Sequence, residues 1–284
     1  MIFAFIAENR HEYKVRRMCN LFGVSASGFY AWLTRPTSAR RVYDQELKTV
    51  IDERHQGFRR AYGAARLHQD LRRLGYSCSR RRVQRLMREM GRQASTRGLY
   101  QWRPGLHEFY SSTGNVLGRE SAPETPGVLW AGDFTYIRTG KGWLYHAVVL
   151  DLYSRKVVGW SFARQRSAEF AMSALRMALS REKVSDGCIF HSDQGIEYAA
   201  HDYRELVEES GLTRSMSRKG NPLDNASVES YFHTLKAELV HQVSFRDRIE
   251  ATAKIVEYIE FYNRERLHSQ IGYQSPEEVA LLCA

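Results

Sequence analysis

No apolar run in the 284 residues approaches the ~18–20 positions that a bilayer-spanning helix needs, so neither a membrane span nor a membrane partner is expected. The opening stretch, MIFAFIAENRHEYK, has no basic run ahead of its short apolar segment and no small-residue cleavage site behind it, so a secreted protein is not expected. Cysteine is sparse: Cys19, Cys78, Cys188 and Cys283 are scattered, with no C-x-x-C pair. They read as reduced thiols of a cytosolic protein, not as a disulfide frame or a zinc site. Proline is equally sparse at 6 residues, and three of them, Pro104, Pro123 and Pro126, fall together. Repeats of solenoid period and low-complexity tracts are absent. Acid is missing from one region, where Glu89 is the only carboxylate between residues 71 and 107.

Present in quantity are apolar residues (43%) and aromatics (12%), enough for a sizeable core and against wholesale disorder. The length suggests about two domains. Charge divides them. Residues 1–100 hold 21 Lys+Arg against 8 Asp+Glu, whereas 101–284 hold 21 against 24. A cationic module joined to a weakly acidic one points to a polyanion partner, the plainer alternative being a solvated basic face.

The basic part reads as helical over 1–95. Val15, Met18, Cys19 and Phe22 recur at helical spacing, Gly23 makes a turn, and Ser25 is a natural N-cap for a helix carrying Phe29, Trp32 and Leu33. That outline over 13–33 is a helix-turn-helix. A second spans 61–92: a helix over 61–74, Gly75, the N-cap Ser79, and a helix with Val83, Leu86, Met87 and Met90 along one stripe, stopped at Gly91. Arg81, Arg85, Arg88 and Arg92 lie on its other side with Arg82 beside them. Like charges at this spacing destabilise an isolated helix by a few tenths of a kcal/mol per pair, so such a face is expected to meet phosphates. Periodicity fails over 96–124, read as a linker.

From 125 to 284 the pattern is mixed α/β. Strands are expected over 128–137, 143–152 and 156–162, joined by connections too short for anything but antiparallel pairing. A helix over 167–181, a strand over 188–190, a helix over 201–210, a Gly220-Asn-Pro222 loop and helices over 225–240 and 247–263 complete the order. Asp133 falls inside the first strand. Asp193 stands just beyond a later strand, where open α/β sheets put their ligands. Glu229 lies on the helix opening at Asp224-Asn225, and Lys236, seven residues on, shares its face. In-line displacement at a phosphodiester needs charge stabilised on the entering and leaving oxygens, which two Mg²⁺ ions about 3.5–4 Å apart provide. Mg²⁺ takes oxygen ligands, so three carboxylates suit it, and bare they would raise one another's pKa.

The stretches Trp130-Ala-Gly-Asp-Phe-Thr-Tyr136, His191-Ser-Asp-Gln-Gly195, Asn221-Pro-Leu-Asp-Asn-Ala-Ser-Val-Glu-Ser230, Tyr262-Asn-Arg-Glu-Arg-Leu-His268 and Gly272-Tyr-Gln-Ser-Pro-Glu277 occur in order. Through them residues 125–281 resemble the integrase core of DDE transposases, and the whole chain resembles the OrfB-type transposase of the insertion-sequence three family. The 35 residues between Asp193 and Glu229, and Lys236 seven beyond, fit that pattern. The resemblance implies a ribonuclease-H-like fold, with three antiparallel strands followed by parallel ones, helices on both faces, and a helix-turn-helix region ahead. It implies Mg²⁺ or Mn²⁺, two ions, held by Asp133, Asp193 and Glu229 as catalytic residues. Double-stranded DNA is the implied partner, as terminal inverted repeats and as target, contacted by Lys236 and by Arg81, Arg82, Arg85 and Arg88. It also implies a homo-oligomer on DNA, a bacterial cytoplasmic, nucleoid-associated location, and fusion to an upstream reading-frame product. No heptad run of leucines is read in this chain.

Plainer readings stand beside these. Asp133 alone could be a structural buried acid, Asp193 an Asx turn and Glu229 a solvated helix residue. Asp151 is read as a turn residue accepting backbone hydrogen bonds around Ser154 and Arg155, Asp224 as a helix cap, and His191 and His268 as packing or DNA-contacting groups. Two rival functions differ in class: a tyrosine recombinase using His201-Asp-Tyr-Arg204 and Tyr231, and a non-catalytic DNA-binding protein.

Overall fold

Residues rich in β-branched and aromatic side chains form three consecutive strands, and the computed structural model runs them as β1 (Leu129–Thr139), β2 (Gly142–Asp151) and β3 (Val157–Ala163). It describes residues 1–96, 123–193, 195–216 and 226–283. Residues 97–122 of the 96–124 linker, the Gly220-Asn-Pro222 loop and the Asp224 cap therefore lie outside the described residues. The tight β1–β2 and β2–β3 turns allow antiparallel pairing only, as observed. β4 (Ile189–Ser192) then pairs parallel with β1, and β5 (Thr213–Met216) parallel with β4, giving the order β3-β2-β1-β4-β5. This is the expected mixed sheet with one strand added. The β5 sequence, Thr-Arg-Ser-Met, has no apolar–polar alternation to reveal it.

Among the described residues six helices precede the sheet: α1 (Ile2–Asn9), α2 (Val15–Leu21), α3 (Ala26–Thr34), α4 (Ala39–Gly57), α5 (Ala64–Arg73) and α6 (Arg80–Glu89). Six more are α7 (Ala168–Arg181), α8 (Ile196–Ala199), α9 (His201–Glu209), α10 (Ala226–Glu238), α11 (Arg248–Arg264) and α12 (Pro276–Leu281). By compactness the chain divides into Met1–Glu53 and Arg54–Ala284. In the first unit Ile6, Met18, Cys19 and Phe29 form a small core, and the Ser25 hydroxyl accepts from Gly28 N–H at 2.9 Å to cap α3. In the second, Ser79 caps α6 by accepting from Arg82 N–H at 3.2 Å, and Gly91 ends that segment at φ +67. Cationic charge concentrates in the second unit, where 12 arginines and 2 acids fall within residues 54–96.

The two sheet faces are covered separately. Trp130, Ala147, Val149, Val158 and Phe190 point toward α7, α8 and α9, packing on Leu175, Tyr198 and Tyr203. The opposite face carries His146, which stacks on Phe162 and meets Phe232 of α10 edge-on at 6.0 Å. On this side Asn263 of α11 turns its amide onto β3, accepting from Val157 N–H and donating to Val157 C=O, both at 2.9 Å.

The arginine-rich helices are bonded to the C-terminal ones. Tyr62 accepts from Leu267 N–H at 2.6 Å, and Arg73 pairs with Glu278. Arg66 reaches Glu238, which also takes Arg266 in a buried fork and the Tyr258 hydroxyl at 2.9 Å. All four cysteines are free. No helix among the described residues is long and apolar enough to cross a membrane.

Candidate active site

β1 and β4 set the first two acids. Their parallel register pairs Ala131 with His191 and Gly132 with Ser192, so Asp133 and Asp193 each follow directly on the last paired position. β4 stops at Ser192, which frees Asp193 from the ladder at the C-terminal end of the sheet, while β1 continues past Asp133 to Thr139. Gly132 permits the pairing because Phe190 crosses it: a Cβ there would lie 2.5 Å from the Phe190 ring.

Asp193 is held by its own turn. Its Oδ1 accepts from Gly195 N–H at 2.9 Å, and a Cβ on Gly195 would meet that oxygen at 2.9 Å and Glu197 Oε2 at 3.2 Å. Glu197 is gripped by Arg166 through bonds of 2.6 and 2.9 Å, and the guanidinium lies 4.6 Å over the Phe134 ring. Arg166 and Glu197 thus brace the residues beside both aspartates. Sequence reasoning missed the pair, since partners 31 residues apart leave no local pattern.

α10 brings Glu229 and Lys236. Arg155 of the β2–β3 turn donates to Ser227 Oγ at the start of α10. Further along, the Lys236 ammonium lies 5.5 Å from the Tyr136 ring of β1. Burial pushes the Asp133 carboxyl up to about 7; the charges of Asp193 and Glu229 add to this, and the Phe134 N–H and Lys236 only partly oppose it. Burial also raises the Glu229 carboxyl, and it lowers the Lys236 ammonium against the pull of Asp133. The three acids and the lysine therefore share one electrostatic neighbourhood.

Among the described residues, one trio of metal-capable side chains has all its ligand atoms within 4.8 Å of one another: His201, Asp202 and Glu205, exposed at the start of α9. Asp133, Asp193 and Glu229 are not drawn to that distance. Their donor set is all carboxylate oxygen, which suits a hard divalent cation. A carboxyl pushed toward protonation by burial and two neighbouring acids ionises readily beside added positive charge, so the residues fit such an ion.

Asp151 behaves as the sequence suggests. It is buried and accepts from Ser154 N–H, Ser154 Oγ–H and Gly127 N–H. His191 contacts Ser215 at 3.0 Å, and His268 packs under the Tyr262 ring. Tyr231 is buried edge-on against Tyr262 at 4.9 Å, and Tyr203 is buried beside Tyr198. Neither hydroxyl is placed to attack DNA, which removes the support for a tyrosine recombinase. On α6, Arg81 and Arg88 are exposed, Arg82 is half-buried, and Arg85 pairs with Glu89 at 2.5 Å.

Comparison with known proteins agrees with this architecture. Residues 123–222 and 210–276 match the family descriptions "Integrase core domain", and residues 42–100 match "HTH-like domain". The chain is 40% identical over 260 residues, 91% of this chain and 96% of the relative, to the Insertion element IS600 uncharacterized 31 kDa protein of Shigella sonnei. It is 38% identical over 281 residues, 98% of each chain, to Transposase InsF for insertion sequence IS3A of Escherichia coli (strain K12). Among solved structures, a chain of the simian T-cell lymphotropic virus intasome complex aligns with TM-score 0.51 at 14% identity, covering 81% of this chain and 74% of that one. That likeness speaks for the fold alone.

Proposed function

The chain belongs to the IS3-family transposases, DDE-type polynucleotidyl transferases that move DNA, and we propose that Asp133, Asp193 and Glu229 are the residues through which it cuts and rejoins strands. The observation that carries this reading is the position of Asp133 within β1 and of Asp193 just past the end of its parallel neighbour β4, with the charges of Asp193 and Glu229 both acting on the Asp133 carboxyl. Three acids from β1, the end of β4 and α10 load one neighbourhood with negative charge, an arrangement that costs stability unless it serves a cation.

Dependence on a divalent metal accompanies the integrase-like core; the identity of the ions, Mg²⁺ or Mn²⁺, and their number, two, are part of the proposal. Bound between these carboxylates, the ions would stabilise charge on the entering and leaving oxygens of an in-line displacement. Water is the entering nucleophile at the 3′ end of the element. The freed 3′-OH enters at the target phosphodiester, where one P–O bond forms as another breaks. Lys236, on the helical face of Glu229, holds the phosphate under attack. Gly195 and the Arg166–Glu197 clamp keep the Asp193 turn in place.

DNA is the partner, grasped by residues 1–95. The Arg81, Arg82, Arg85 and Arg88 face lies on phosphates, 96–124 links, and 125–284 is the catalytic core. Cutting two ends together calls for two or more copies on DNA, with the upstream reading-frame product as a fusion partner, in the bacterial cytoplasm at the nucleoid. A labelled duplex carrying the element ends tests the assignment. Asp193→Asn should abolish Mg²⁺-dependent cutting and retain binding in gel shift. Cutting that persists in Asp193→Asn overturns it, and absence of cutting with either metal when the upstream reading-frame product is also supplied favours the non-catalytic DNA-binding reading.

A further inference from the structure

The β1–β2 hairpin carries two large aromatic side chains on its surface, one of them against Lys236. Tyr136 stands three residues past Asp133 and is 58% exposed; Trp143, on the neighbouring strand, is 46% exposed. Their rings meet edge to face at 5.3 Å. The Lys236 ammonium lies 5.5 Å from the Tyr136 ring, so the aromatic pair and the phosphate-holding lysine form one continuous patch.

The patch is rigidly mounted. Gly140 N–H donates to Phe245 C=O at 2.9 Å, and the Arg248 guanidinium donates to Trp143 C=O at 2.9 Å. The hairpin is thus braced from the segment leading into α11 while its rings face outward. A diagonal aromatic pair also steadies a hairpin modestly. That purpose does not call for half-exposed rings next to a lysine. An exposed ring cannot stack on a base inside an intact duplex, because both base faces are already covered. It can stack on one that has left the helix, and such stacking tolerates any sequence since every base has a π-face.

We propose that Tyr136 and Trp143 form a stacking platform for an unpaired nucleobase at the DNA end, next to the phosphate engaged by Lys236. This deepens the transposase reading and rests on it. The platform would hold the strand end open at the point of attack and offset part of the unstacking that exposure of the scissile phosphate requires.

The test uses the full chain and two short duplexes of equal sequence, one fully paired and one with mismatched terminal pairs and 2-aminopurine at the end, with affinity read by anisotropy without divalent metal. The intact chain is expected to prefer the frayed duplex and to change its 2-aminopurine emission. Tyr136→Ala and Trp143→Ala should each lower that preference about tenfold. Tyr136→Phe, which keeps the ring, should retain it, and thermal melting identifies any variant that fails to fold. If the folded alanine variants keep the intact chain's preference, or if Tyr136→Phe loses as much as Tyr136→Ala, the platform is refuted. Because no strand is cut in this assay, its failure is distinct from survival of cleavage in Asp193→Asn, which would refute the catalytic assignment.

Discussion

Removing the Glu238 carboxylate should be among the most destabilising single changes in the second compact unit. Glu238 and Arg266 are each 3% exposed, and the guanidinium holds the carboxylate at 2.7 and 2.9 Å. Burial, the largest single influence, would raise the Glu238 pKa, but the charge and hydrogen bonds of Arg266, together with Arg66 and the Tyr258 hydroxyl, outweigh it and leave it below the ordinary 4.5. In Glu238→Ala the Arg266 charge stays buried without its counter-ion, which typically costs about 3–5 kcal/mol. For a unit of this size each kcal/mol lowers Tm by about 2–4 °C, so a fall of roughly 6–20 °C is expected by calorimetry. The double change Glu238→Leu with Arg266→Met removes both charges and should recover most of the loss, because replacing such a pair with apolar groups is often neutral. The depressed pKa also fixes a direction in pH. Stability from Glu238 is complete above about 4.5, its unfolded value, and is lost as pH falls through the lower folded value. A Glu238→Ala chain melting within about 3 °C of the parent, or a double variant no better than the single one, would show that the fork is not what holds α10, α11 and the arginine-rich helices together.

Other outcomes follow from the same geometry. Asp133 has its folded pKa raised from 3.8 to about 7, so its stabilising effect on the metal-free chain is complete below 3.8 and lost as pH rises through 7; Asp133→Asn should therefore raise Tm at pH 8 relative to the parent, and little at pH 4. Gly195→Ala puts a Cβ 2.9 Å from Asp193 Oδ1 and should slow end cleavage by on the order of 100-fold with DNA affinity unchanged in gel shift. Arg81→Gln and Arg88→Gln should each reduce the slope of log affinity against log salt by about 0.9, read by anisotropy over a salt series; an unchanged slope would take α6 off the phosphates.

Most strands and helices could be read from residue pattern because each buries a continuous stripe. β1 to β3 and α7 begin and end within two residues of where their alternation and periodicity put them. α4 is harder to see, since Leu47 and Ile51 are its fully buried apolar residues amid charged neighbours, and β5 is hidden by its polar composition. The acids became candidates through motif order. What brings the Asp133 and Asp193 segments side by side is the β1–β4 register, which joins positions 60 residues apart and has no local trace. The same holds for Arg166 with Glu197 and for Glu238 with Arg266. On sequence a charged residue defaults to solvent, and only tertiary structure shows which ones are enclosed.

Asn263 has one further consequence. β3 is an outer strand of the sheet, and its Val157 N–H and C=O point away from β2. By engaging both, a single helical side chain stands in for a sixth strand and shields that rim from adhesive growth by other polypeptides. In the proposed assembly of several copies on one DNA, local crowding would be high, and an open rim there would seed fibrous clumping. Leucine at this position would be expected to leave the chain folded in dilute solution yet prone to precipitate when concentrated.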